Sequence, residues 1–142
     1  MIYFFDTSAL IKRYIDEPGS DVVDEIFEIA VHIYVSQVTL IEAIATLRRL
    51  LHEKILNQEQ FHYLKNEFIT DMAYFIVVPF DQSVVNVCLD ILNEQQLKTL
   101  DTIQLASAFV VKSKTDAMVL ADQKLGIEAK NLNISTINVL TI

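Results

Sequence analysis

The chain lacks the residues that several common chemistries require. Its 142 residues hold one cysteine, two glycines, two prolines and no tryptophan. Cys88 by itself can form no internal disulfide, and its apolar neighbours Val84 to Leu92 make it a buried structural thiol. With only Gly19 and Gly126, neither a Walker loop nor a dinucleotide fingerprint can be built. His32, His52 and His62 show no zinc spacing, and no Gly-x-Ser-x-Gly elbow exists. Positive charge is also scarce: 11 Lys and Arg against 19 Asp and Glu give a net charge of −8. That balance excludes a protein that coats nucleic acid through diffuse cationic charge. No apolar run reaches the roughly 18 residues that cross a bilayer, since Glu42, Pro79 and Asp81 interrupt the longest ones. The start, Met1 to Asp6, lacks the basic segment and cleavage site of a secretory signal, so a cytoplasmic location with no membrane contact is expected.

What is present is apolar residues, 52% of the chain, spread without repeats or low-complexity linkers. One ordered domain over 1–142 is expected, and a domain of this size buries roughly two-thirds of its unfolded surface. Ile2 to Phe5, Ile33 to Val35, Phe75 to Pro79, Ala117 to Ala121 and Ser135 to Val139 read as strands, mostly apolar throughout. Between them the spacing predicts helices over 9–14, from Ser20-Asp21 to about Ala30, and over 37–54, 57–72, 84–94, 99–111 and 123–131. Thr7 or Ser8 is the expected cap of the first, Ser36 of the third, and Asp81 or Ser83 of the fifth. Strands alternating with helices imply an α/β fold, a parallel sheet covered on both sides. Ligands of such sheets bind beyond the C-terminal strand ends, where the winding reverses.

Four acids stand out against this pattern. Asp6 and Asp122 directly follow strands. Glu42 sits in the apolar run Val38 to Leu47, where desolvating a carboxylate is costly unless a cation meets it. Asp101 opens the helix that begins at Thr99. Taken singly, three of these acids suit helix capping and Glu42 suits the rim of a helix. Together they form a set that can converge on one sheet edge. By contrast Asp24, Glu25 and Glu28, and the pair Asp90 and Glu94, read as solvated helix faces. Clustered hard oxygen ligands suit Mg²⁺ or Mn²⁺, and one or two such ions would relieve the repulsion among them. Two divalent ions would also bring the net charge from −8 to −4.

The segments Phe5-Asp6-Thr7-Ser8-Ala9-Leu10, Ser36-Gln37-Val38-Thr39-Leu40-Ile41-Glu42, Leu100-Asp101-Thr102-Ile103-Gln104-Leu105-Ala106-Ser107-Ala108 and Val119-Leu120-Ala121-Asp122-Gln123-Lys124-Leu125 resemble the PIN-domain pattern. More narrowly they are similar to the VapC-like toxins of toxin–antitoxin pairs. Each motif is short, but four in order across the whole chain are specific. The resemblance implies a three-layer α/β/α fold with a five-stranded parallel sheet and a Mg²⁺- or Mn²⁺-dependent endoribonuclease. It also implies a small antitoxin partner and a homodimer. By position it makes Asp6, Glu42, Asp101 and Asp122 the metal-site and catalytic acids, with Ser8 and Gln104 in support.

Three positions depart from the pattern. Leu120 replaces a frequent Thr or Ser, removing a hydroxyl from the site. Gln104 replaces a His, and Asn133 a Gly that turns into the last strand. RNA contact would come from a local patch drawn from Lys12, Arg13, Arg48, Arg49 and Lys98, with Arg49, Lys98 and Arg13 the named contacts. Haloacid-dehalogenase-like chemistry wants a second Asp where Ser8 stands. Receiver domains want an acidic pair where Phe4 and Phe5 stand. The remaining alternative is a PIN-like RNA- or protein-binding module that cleaves nothing.

Overall fold

The alternation of side chains along β1 (Ile2–Phe5) decides the layering. Tyr3 and Phe5 point into one core and Phe4 into another, and all three are buried. In the computed structural model, which describes residues 1–141, four further strands extend the sheet. They are β2 (His32–Ser36), β3 (Ile76–Val78), β4 (Ala117–Leu120) and β5 (Thr136–Asn138), all parallel, in the order β3-β2-β1-β4-β5. In β4, Ala117 and Val119 join the Tyr3–Phe5 side, while Met118 and Leu120 join Phe4. Every residue of β4 is buried, which explains why its sequence is uniformly apolar.

Helices α1 (Thr7–Leu10), α2 (Ser20–Ile29), α3 (Thr39–His52) and α4 (Gln58–Asp71) supply the first core with Leu10, Val23, Leu47 and Phe68, among others. Helices α5 (Gln82–Glu94), α6 (Thr99–Val110) and α7 (Gln123–Asn131) supply the second with Val84, Leu105 and Leu125. The result is the expected α/β/α sandwich. Cys88 is buried on α5 as a free thiol, and burial pushes its pKa up. Asn133 does adopt a left-handed backbone, φ 60°, where a glycine was the alternative. No helix among the described residues is long and apolar enough to cross a membrane.

Three helix starts differ from expectation by two residues, and α5 opens at Gln82, not Val84, because Asp81 takes its cap. The first helix begins at Thr7, not Ala9, and ends in a 3-10 turn over Ile11–Arg13. Its cap is Asp6, not Thr7 or Ser8. α3 begins at Thr39, not Gln37, because Gln37 prolongs the sheet: its N–H donates to Val78 C=O at 3.0 Å, and its side-chain oxygen accepts from Phe80 N–H at 2.7 Å.

The winding reverses at β1. The chain steps outward from β1 through β2 to β3 on one side, and β4 and β5 lie on the other. The C-terminal ends of β1 and β4 are therefore adjacent, tied by Asp6 N–H donating to Val119 C=O at 2.9 Å. Asp6 follows the first and Asp122 stands just beyond the second, so the topology brings these two carboxylates to the crevice where ligands of open parallel sheets bind.

Candidate active site

Asp6, Glu42, Asp101 and Asp122 line one cleft of about 400 Å³ at this crevice. Asp6 is only 5% exposed. Its carboxylate caps α1 by accepting from Ser8 N–H at 3.2 Å, and it also accepts from the Ser8 hydroxyl. The Ser8 oxygen in turn accepts from Ala121 N–H at 3.0 Å. One hydroxyl thus joins the ends of β1 and β4 and holds the Asp6 carboxylate toward the cleft. Asp122 caps α7 by accepting from Leu125 N–H at 3.0 Å. Both acids perform the capping role open to them from sequence, and both still line the cleft.

Glu42 is the most elaborately held. Its Oε1 accepts from Gln104 Nε2 at 2.6 Å and from the Thr7 hydroxyl at 3.1 Å. Gln104, 1% exposed, also reaches the hydroxyls of Thr7 at 2.9 Å and Thr39 at 3.0 Å. Thr39 was not singled out from sequence, and Thr7 only as a helix cap. Their signal was present, since Thr39 precedes Glu42 by three residues on one helix face and Thr7 stands between Asp6 and Ser8. Outer partners of this kind set the orientation of a ligand carboxylate. Gln104→Leu is therefore expected to lower metal-dependent activity or metal affinity about 10- to 100-fold. Metal titration of variant and parent would check this, and an unchanged metal midpoint would show that Glu42 needs no such support.

The acids repel one another in a chain. Burial pushes the Asp6 carboxyl up to about 7; Glu42 and Asp101 add to that shift, and the Ser8 hydrogen bonds oppose it. Asp101 is also raised, by burial first and then by Asp122, with Lys98 and Lys124 pulling the other way. None of the four acids has a basic partner within 4 Å among the described residues. The cations that line the cleft are already engaged, Lys12 with Glu17 at 2.8 Å and Arg49 with Glu53 at 3.0 Å.

The donor set fits a hard divalent cation in chemistry, being all carboxylate oxygen. Among the described residues, no three of these acids gather tightly enough to enclose an ion by themselves. Mg²⁺ usually keeps several waters and takes only one or two carboxylates directly, so this wider placement remains compatible with it.

The remaining candidates divide. Arg49 lines the cleft. Lys98 precedes α6 and does not line it, although its field reaches Asp101. Arg13 does not reach the cleft, contrary to expectation: it pairs with Asp24 at 2.6 Å and lies over the Phe27 ring. Arg48 lies over Phe61, away from the cleft. Leu120 also needs correction. Its side chain lies in the second core beside Gly126, and Ala121 forms the cleft wall, so a hydroxyl at position 120 would not enter the site.

An open parallel sheet with an acidic cleft at its switch point places the chain among the doubly wound α/β proteins, whose ligands bind beyond the C-terminal strand ends. The PIN domain family model matches residues 3–125, and the chain belongs to that family. The fold is shared with solved structures of low identity. FitAB bound to an IR36 DNA fragment aligns at 18% identity and a TM-score of 0.74, covering 100% of this chain and 97% of that one. FitAcB from Neisseria gonorrhoeae aligns at 18% and 0.71, covering 100% of each. VapBC2 from Rickettsia felis, bound to a DNA fragment from its promoter, aligns at 16% and 0.66, covering 97% and 98%. No curated protein matches the chain.

Proposed function

We propose that the chain is a divalent-metal-dependent endoribonuclease, the toxin of a VapBC-type pair, whose cleft hydrolyses RNA phosphodiester bonds. The observation that carries this reading is the cleft itself, which four carboxylates line with none of them in an ion pair among the described residues. When bound there, Mg²⁺ or Mn²⁺ supplies an activated water and stabilises the charge on the leaving oxygen. Asp6, Glu42, Asp101 and Asp122 are the residues that would hold one or two such ions. Ser8 steadies Asp6, and Gln104 with Thr7 and Thr39 steadies Glu42. Arg49 in the cleft, with Lys98 beside Asp101, offers positive charge to the RNA backbone. Likeness to the FitAB and VapBC2 complexes supports a small antitoxin as partner, and family resemblance supports a homodimer.

The test is cleavage of single-stranded and structured RNA with Mn²⁺, with Mg²⁺ and with EDTA. Cleavage is expected with either ion and none in EDTA, whereas metal-independent cleavage would remove the basis of the mechanism. A second reading, a PIN module that binds RNA or protein without cleaving, draws on the spread of the acids noted above. Binding of RNA without cleavage in either metal would favour it.

A further inference from the structure

Lys12 is unusual among the cations of this acidic chain because it is fixed. It is only 8% exposed, yet it lines the cleft that holds the four acids. Its stem runs beneath the turn at Gly19, where the backbone is left-handed at φ 96°. A Cβ at Gly19 would meet Lys12 Cδ at 3.2 Å and Val139 Cγ2 at 2.9 Å, so this glycine leaves the room the stem occupies. The ammonium has three N–H donors and, among the described residues, a single protein acceptor, Glu17 Oε1 at 2.8 Å.

Glu17 is held differently. Its side chain is 39% exposed and its carboxylate meets only Lys12 among the described residues. Its backbone is anchored: the Glu17 N–H donates to the Ser20 hydroxyl at 3.0 Å, and its C=O accepts from Ser20 N–H at 3.0 Å. The Ser20 hydroxyl donates onward to Ile15 C=O at 3.0 Å. The Glu17 carboxylate can therefore rotate into water while the loop keeps its shape, and Lys12 cannot follow it. Arg49, the other cation of the cleft, makes an exposed pair four residues along its own helix and offers charge without a fixed position.

We infer that Lys12 is a fixed binding point for a backbone phosphate of the RNA strand and that Glu17 occupies that phosphate's place in the free protein. This rests on the proposed nuclease reading. Exchanging one oxyanion for another keeps the buried ammonium paired throughout, which avoids the cost of a lone buried charge. It also supplies positive charge inside a cleft whose acids would otherwise repel the strand. Glu17 acts as an internal competitor, so its removal strengthens RNA binding, whereas removal of Lys12 weakens it.

The opposite signs make the test. Lys12→Met and Glu17→Gln are placed on an Asp6→Asn background, and binding of a fluorescein-labelled single-stranded RNA is followed by anisotropy in Mn²⁺. Glu17→Gln is expected to bind about 3- to 10-fold tighter and Lys12→Met about 10-fold weaker. Loss of one phosphate contact also makes the slope of log K against log salt shallower by roughly 0.7. Shifts of the same sign in both variants, or lower melting points with unchanged affinity, would mark the pair as a structural clasp and overturn the inference. Should Lys12→Met fail to fold, Glu17→Gln alone decides, weaker or unchanged binding counting against it. A gel of the unsubstituted protein with the same RNA in Mn²⁺ reports failure of the nuclease reading separately, as RNA left intact. Failure of the parent to bind RNA at all overturns both.

Discussion

Asp6→Asn is expected to abolish metal-supported RNA cleavage, by more than about a thousandfold, while leaving the protein folded and slightly more stable. The loss follows if Asp6 holds the ion, because several kcal/mol of charge stabilisation at the reacting phosphate then disappears. The gain in stability has its own cause. Asp6 is almost fully buried, lacks a basic partner and is destabilised as an anion by burial, Glu42 and Asp101. Asparagine has the same shape and remains a good N-cap, so α1 keeps its start while the buried charge is removed. A thermal midpoint a few degrees higher at neutral pH without metal is the expected companion result. Cleavage assays and melting curves on one preparation check both halves. Retained activity would remove Asp6 from the metal site, and loss of activity through unfolding would reduce it to a cap.

The second large effect is on stability against pH in the absence of metal. The folded-state pKa of Asp6, about 7, lies above its ordinary value of 3.8. Between these values the native chain binds more protons than the unfolded chain, so stability falls as pH rises through that window and levels off above it. The contribution from Asp6 is at most about 4 kcal/mol. Asp101 is shifted in the same direction and adds to the trend. In EDTA the protein is thus expected to unfold at lower urea concentration at pH 7.5 than at pH 5. Mn²⁺ should reverse the trend at pH 7.5, by about 2.7 kcal/mol when its concentration is a hundred times its Kd. Urea titrations at both pH values check this, and stability that rises from pH 5 to 7.5 in EDTA would contradict the electrostatics of the cleft.

These effects bear on how the site can be read from residues. The carboxylates stand out in sequence because each occupies a place where an unpaired charge costs free energy: after a buried strand for Asp6 and Asp122, and in an apolar run for Glu42. Their common edge follows from chain order, since strands alternating with helices leave few topologies. The cations have no such signal. Lys12 and Arg13 are neighbours, yet one is threaded under Gly19 into the cleft wall and the other pairs with Asp24 on the surface. Arg48 and Arg49 differ by one helical step of about 100°, enough to send one over Phe61 and the other to the cleft. Long flexible side chains take their direction from whatever packs beside them, which local sequence does not encode.

The same division holds for the fold. Patterning alone determined the five strands, the seven main helices and the α/β class, because a strand buried on both faces must be apolar throughout and a surface helix must be apolar on one stripe. It also placed Asp6 and Asp122 at one sheet edge, where Glu42 and Asp101 could join them. Ser8 and Gln104 were expected in support from the motif resemblance, but only the tertiary structure decided what they touch and brought in Thr7 and Thr39. Ser8 joins the ends of β1 and β4, Gln104 and two threonines hold Glu42, and Glu17 holds Lys12. Most of these contacts join residues far apart in the chain, Thr7 to Gln104 and Ser8 to Ala121 among them. Hydrogen bonds act over about 3 Å, so partners from distant segments become defined only when packing has brought those segments together.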